Sequence, residues 1–227
     1  MIPWGAILNA VAILGGGGLG ATLGRRLPEH VRACIFQGLG LSVLAVGIKL
    51  SFQTTSPAIL ITSIVCGGMI GGALRLEDRI TQVSQWLKTR LHSNNPKFSD
   101  GVALSVTVFC CGSLALLGPL DEGVRDSTTL LSTKAFLDGL TTIAFGSVYG
   151  AGVLLSAAPV LLYEGALTLL FHHLGGSIPT PVVTELSAVG GVLTMGIGIN
   201  LLELRRLALP NMLPSLAIAV VLSSLYL

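Results

Sequence analysis

The chain has 227 residues, 52% hydrophobic and 11% charged, with a net charge of +2 and a mean hydropathy of +0.82. Soluble domains carry roughly 25% charged residues, so this composition excludes a water-dissolved globule. Glycine is abundant, with 29 residues, and aromatics are scarce at 5%, a balance that suits membrane bundles whose helix backbones approach closely.

The N-terminal stretch Met1–Gly24 carries no charge, and Arg25 and Arg26 follow it. A cleavable signal places positive charge before its apolar run. The reversed order predicts a first transmembrane helix entering from outside. A span needs about 20 apolar residues, within a range of about 17–25. Eight stretches qualify in chain order: Trp4–Thr22, Ala33–Leu50, Ala58–Leu74, Val102–Gly118, Thr133–Ser156, Val160–Phe171, Leu186–Leu202 and Met212–Leu227. The fourth is expected to stop at Pro119, and the sixth is short unless it runs on through His172 and His173. The fold class expected is therefore an all-α polytopic transmembrane bundle of about eight spans, forming one integral-membrane domain over 1–227.

Cytoplasmic loops collect Lys and Arg. With the loop after the first span inside, the inner loops hold Arg25, Arg26, Arg32, Arg75, Arg79, Lys88, Arg90, Lys97, Arg205 and Arg206. The outside keeps Lys49, Arg125 and Lys134. This bias puts both termini on the periplasmic side. Merging the fifth and sixth spans would move Arg205 and Arg206 outside, so it also favours eight. The long loop Arg75–Gly101 is then cytoplasmic. Within it Ile80, Val83, Leu87 and Leu91 share one helical face, flanked by Arg79, Lys88 and Arg90, which predicts an interfacial helix. Basic cytoplasmic flanks are ordinary in membrane proteins, so no nucleic-acid partner is expected.

Phe36-Gln37-Gly38-Leu39 and Tyr163-Glu164-Gly165-Ala166 stand 127 residues apart (37 to 164). Ile70-Gly71-Gly72-Ala73-Leu74 and Ile197-Gly198-Ile199-Asn200-Leu201 share that offset (70 to 197). The pair suggests a duplication of four plus four spans, with halves 1–119 and 120–227 related by an axis along the membrane normal. Chance likeness between glycine-rich apolar segments is the alternative.

Gly15–Gly20 fits a nucleotide-loop pattern, but such a loop follows a strand and opens a soluble helix. The better reading is a smooth packing face of Gly16, Gly20 and Gly24, repeated by Gly68 and Gly72 and by Gly146 and Gly150. Intramembrane polar groups say more, because an ionisable group at the bilayer centre costs about 2.5–3.5 kcal/mol on insertion scales. Lys134 and Asp138 share one face at i,i+4, and Glu164 lies several residues into the sixth span. The candidate solute or ion pathway comprises Asn9, Gln37, Lys134, Asp138, Glu164, Glu185 and Asn200. In a transporter, Glu164, Asp138 and Gln37 should converge on one polar cavity. For Lys134 and Asp138 the first reading is an interfacial salt bridge closing the outer end of the span, and the second is a gate or an ion-coupled site.

Cys34, Cys66, Cys110 and Cys111 lie in apolar stretches without metal-ligand spacing and read as buried packing residues. Adjacent His172 and His173 point apart on a helix. No metal, cofactor or enzyme motif emerges.

Asn9-Ala10 leading into Gly15–Gly20, Leu27-Pro28-Glu29, Phe109-Cys110-Cys111-Gly112-Ser113, Lys134 with Leu137-Asp138-Gly139, Ser187-Ala188-Val189-Gly190-Gly191 and Asn211-Met212-Leu213-Pro214 stand in this order. Together they resemble the YqgA-like bacterial inner-membrane proteins, the domain-of-unknown-function family 554. The resemblance covers essentially the whole chain. It implies a multi-pass inner-membrane protein and supplies no substrate or catalytic residue. It also implies glutamine where this chain has Glu164. The expected function is a carrier or channel for a small solute or ion. A non-transporting membrane scaffold or partner subunit is the alternative. The partners expected are the bilayer, a small solute or ion, and a second copy of the chain.

Overall fold

The computed structural model describes residues 1–23, 28–112, 114–174 and 179–226, so Gly24, Arg25 and Arg26 lie outside the described residues. Ten helices are described: α1 (Trp4–Leu23), α2 (Glu29–Ser51), α3 (Pro57–Ala73), α4 (Leu76–Arg90), α5 (Phe98–Cys111), α6 (Leu114–Arg125), α7 (Thr129–Tyr149), α8 (Ala157–Leu174), α9 (Thr180–Leu201) and α10 (Pro214–Tyr226). Short 3-10 segments occupy Gly150–Ser156 and Leu209–Met212, and no strand occurs among the described residues. The chain is an all-α polytopic bundle.

Among the described residues, five stretches are long and apolar enough to cross a membrane: α1, α2, Thr129–His173, α9 and Leu209–Tyr226. Two bent pairs qualify jointly, raising the count to seven: α3 with α4, bent by 49°, and α5 with α6, bent by 51°. Thr129–His173 is 45 residues long, more than twice what one pass needs, and it reverses. Along α7, Leu131, Gly139, Ile143 and Gly146 meet α1 at Gly5, Gly16, Gly20 and Ala21, so the two helices run parallel. Leu154, Glu164 and Gly165 meet α1 in the opposite order, at Gly17, Asn9 and Pro3. The segment Gly150–Ser156 makes this reversal, with Gly150 at φ +74°, which only glycine adopts without strain. The stretch is thus a hairpin of two passes.

Two boundaries differ from expectation. The fourth span does not stop at Pro119, which lies inside α6; the helix restarts at Leu114 and continues to Arg125. The fifth does not reach Ser156: α7 ends at Tyr149, where the chain turns through Gly150–Ser156. The sixth runs through His172 and His173, as its length required.

The chain divides into two compact units. The first comprises Met1–Phe36, Ile80–Cys110 and Leu114–Gly176, and the second comprises Gln37–Arg79, Cys111–Ser113 and Ser177–Leu227. Each draws spans from both halves of the sequence. In the first unit, α1, α6, α7 and α8 pack around the sequestered side chains of Ile13, Leu131, Phe145 and Val160. An aromatic row lines one side, with Phe36 stacked on Phe145 at 5.5 Å and Phe109 on Phe145 at 6.1 Å. In the second unit, α9 is mostly buried. Glycines of α2 press against it, Gly47 on Gly191 and Met195, and Gly40 on Leu202.

The outward faces are apolar. Val11 is 59% exposed, Ile61 62% and Leu162 73%. In water such faces would drive aggregation; in a bilayer they meet acyl chains.

The glycine faces divide. A methyl on Gly16 or Gly20 would strike the carbonyl oxygens of Gly139 and Ile143, and one on Gly146 would meet the backbone of Gly17 and Ala21. Nothing lies within 4 Å of a methyl at Gly68 or Gly72. The contact face of α3 is one residue earlier: Gly67 packs on Ser215 and Gly71 on Asn211. With five glycine and alanine residues clustered at the end of α3, the spacing of four fits either register, and only the position of α10 selects one. Cys110 is buried, but Cys34 is exposed and Cys66 half-buried, so those two do not sit in a closed core.

Candidate functional site

Helical repeat brings four polar side chains to one point inside the first unit. On α7, Lys134 and Asp138 are four residues apart and share a face. Asn9 on α1 and Glu164 on α8 project at the same level. Asn9 and Glu164 are fully buried, and Lys134 and Asp138 are 3% and 9% exposed. Lys134 Nζ pairs with Asp138 Oδ2 and lies 3.0 Å from Glu164 Oε1. Asn9 Nδ2 donates to Asp138 Oδ2 and to both Glu164 oxygens, each at 3.0 Å. Phe109 closes one side, its ring centroid 5.8 Å from the Lys134 ammonium.

Asp138 is the tenth of the 21 residues of α7, about 14 Å along a helix rising ~1.5 Å per residue, and Asn9 is the sixth of the 20 residues of α1, about 8 Å along it. Both lie inside apolar spans, away from the helix ends. With all three ionised, the two carboxylates and one ammonium would carry a net charge of −1. A mere lock between helices would do better with equal numbers, because uncompensated buried charge is strongly unfavourable.

Polar groups continue from the cluster in both directions. On α8, Glu164, Thr168 and His172 follow at intervals of four. Thr168 Oγ1 donates to Glu122 Oε2 at 3.3 Å, and Glu122 Oε1 accepts from the Gly5 amide at 2.8 Å. Glu122 is 1% exposed; its carboxylate caps the amino end of α1, where unpaired N–H groups and the helix dipole favour negative charge. Beyond it, Met1, Ile2, Trp4, Gly123, Asp126 and His172 line a cleft of about 580 Å³. On α7, the series Lys134, Asp138, Thr142 continues at the same interval to Gly146, with Gly150 just past the helix end, and the fully buried Thr142 hydroxyl donates to the Asp138 carbonyl. Gly146 and Gly150, with Ala21, Arg32, Asn95 and Ser147, line a second cleft of about 420 Å³. The clefts lie at opposite ends of α1, whose 20 residues span about 30 Å.

Sequence reasoning missed Glu122. Ending the span at Pro119 left it in a loop, although Asp121-Glu122 follows the apolar run directly.

The other sequence candidates are placed elsewhere. Gln37 belongs to the second unit and is exposed. Glu185, also in the second unit, is fully buried and caps α3: it accepts from the amides of Thr55 and Ser56 at 2.7 and 2.9 Å and from the hydroxyls of Thr54 and Thr55. Asn200 clips the loop after α9, exchanging two hydrogen bonds with the Leu207 backbone. Among the described residues, no group of three His, Cys, Asp or Glu side chains has metal-ligand geometry.

The chain matches the family described as Protein of unknown function (DUF554) over residues 4–224. It is 29% identical over 220 residues to the uncharacterized membrane protein YdfK of Bacillus subtilis (strain 168), covering 95% of this chain and 93% of that one. It is 30% identical over 227 residues to the uncharacterized protein YqgA of Escherichia coli (strain K12), covering 97% and 96%. No solved structure matches the chain. With matches of this length on a bundle of apolar helices, the chain is a membrane protein and belongs to the DUF554 family.

Proposed function

We propose that the chain moves a small solute or ion across the bacterial inner membrane, that both termini face the periplasm, and that it is not an enzyme. One observation carries this reading: a buried cluster of two carboxyl groups and one amine lies between two clefts at opposite ends of α1. Ionisable groups inside membranes are costly, so they mark ion pathways, relays or substrate sites far more often than simple packing. Lys134, Asp138, Glu164 and Asn9 form the proposed site, with Thr168 and Glu122 towards the outer cleft. The excess of Lys and Arg in alternate loops supports the orientation.

A second reading, a membrane scaffold, has its own support. Glu122 and Glu185 are both engaged as helix caps, and α1 meets α7 through closely packed glycines. Flux separates the two. Purified chain in vesicles carrying a proton- or sodium-sensitive dye should dissipate an imposed gradient faster than empty vesicles. Glu164→Gln and Asp138→Asn should slow it about tenfold, the effect of ~1.4 kcal/mol. Dissipation equal to that of empty vesicles, for both ions, would favour the scaffold.

A further inference from the structure

The cluster holds one group that its own hydrogen bonds leave over. Asn9 is completely buried, yet its side-chain oxygen Oδ1 accepts no hydrogen bond. Its nitrogen, with only two hydrogens to give, faces three carboxylate oxygens at 3.0 Å. Nδ2 and not Oδ1 faces the carboxylates, and a half-turn of the amide exchanges the two, bringing Oδ1 towards them. After that turn Asn9 Oδ1, Asp138 Oδ2 and both Glu164 oxygens would face one another beside the Lys134 ammonium, four oxygens of the kind that hard cations take.

Charge selects the class of cation. The ionised cluster stands at −1, because Lys134 neutralises one carboxylate and not both. A proton or an alkali-metal ion brings it to zero, while a divalent ion would leave the burial of a positive charge. We propose that Asn9, Asp138 and Glu164 bind a single cation of unit charge, with Lys134 as the tethered counter-ion that keeps the site from taking a divalent one. This names the ion for the pathway proposed above, and it rests on that reading only for what the bound ion does. The ionisable groups facing the site are Lys134 and Asp138 from α7, Glu164 from α8, Glu122 from α6 through Thr168, and the Cys110 thiol from α5. From α1 the facing group is the neutral Asn9.

Binding is tested on the full-length chain in detergent, without reference to transport. Thermal unfolding is followed as sodium, lithium or potassium chloride replaces choline chloride at constant ionic strength. If an alkali ion is the ligand, it raises the midpoint by several degrees, as any ligand specific to the folded state does. Glu164→Gln and Asp138→Asn abolish the rise, Asn9→Ala weakens the apparent affinity about tenfold, and Glu203→Gln, at an exposed position, leaves it unchanged. If the proton is the ligand, no alkali ion shifts the midpoint, and infrared spectra of wild type at neutral pH contain a protonated-carboxyl band that Glu164→Gln or Asp138→Asn removes. Wild-type measurements carry both arms should a variant fail to fold. Folded protein with neither an alkali-dependent midpoint nor a protonated carboxyl overturns the inference. So does stabilisation by magnesium but by no unit-charge cation. Cation binding without flux in vesicles leaves the inference standing and removes the transport reading.

Discussion

At the scale of single residues, the cluster has three ionisable members that are not equivalent. Lys134 contacts both carboxylates, whereas each carboxylate has Asn9 as a second donor. Removing the ammonium therefore leaves two buried negative charges facing each other. Removing one carboxylate charge leaves a neutral pair. Lys134→Met should cost about 3–5 kcal/mol, the usual penalty for breaking a buried pair, and Glu164→Gln distinctly less. Thermal unfolding of the two variants in the same detergent checks the order; equal losses would mean that the charges are not coupled as the geometry requires. Lys134, Asp138 and Asn9 could be read from sequence because each is a polar residue within an apolar run, and the spacing of Lys134 and Asp138 puts them on one face. Glu122 could not, because Pro119, directly after the presumed span end at Gly118, hid a helix that continues. Gln37 shows the opposite failure: it matches Glu164 in the repeat, yet it is exposed, since a shared offset says nothing about which face of a helix its neighbours cover.

At the scale of elements, α1 is the axis of the first unit, packed parallel to α7 and antiparallel to α8. The parallel contact exists because Gly16, Gly20 and Gly146 let backbones nearly touch. Close approach of this kind is what holds membrane helices together when lipid is as apolar as the side chains. Gly20→Leu would force a side chain against the Ile143 carbonyl. Overpacking costs about 1–3 kcal/mol, occasionally more, and here backbone rather than a flexible side chain must yield. The expected result is loss of folded protein in size-exclusion chromatography after extraction. Gly68→Leu, with open space around it, should by contrast behave as wild type in the monomeric fold. Helices and their apolar faces were legible because hydrophobic run length alone sets them. The register of the α3 contact was not, since adjacent glycines offer equivalent faces until a partner is placed. The reversal after α7 was signalled by charge placement and not by Gly150, which the sequence offered only as a packing glycine; its geometry depends on the positive φ at that glycine.

At the scale of the whole molecule, the account requires a chain that crosses the membrane an even number of times. Reporter fusions at Asn94 and after Leu227 should report opposite sides, cytoplasmic and periplasmic; the same side at both would contradict the orientation and the hairpin of α7 and α8. The central claim is that the buried charge cluster serves movement of ions between the clefts. Current recorded from vesicles adsorbed on a solid-supported membrane tests it most directly, because charge displacement is read without knowing the solute. A jump in proton or sodium concentration should evoke a transient current with wild type that the double variant Asp138→Asn, Glu164→Gln abolishes. Wild-type traces indistinguishable from those of empty vesicles, or currents unchanged by the double variant, would contradict the account.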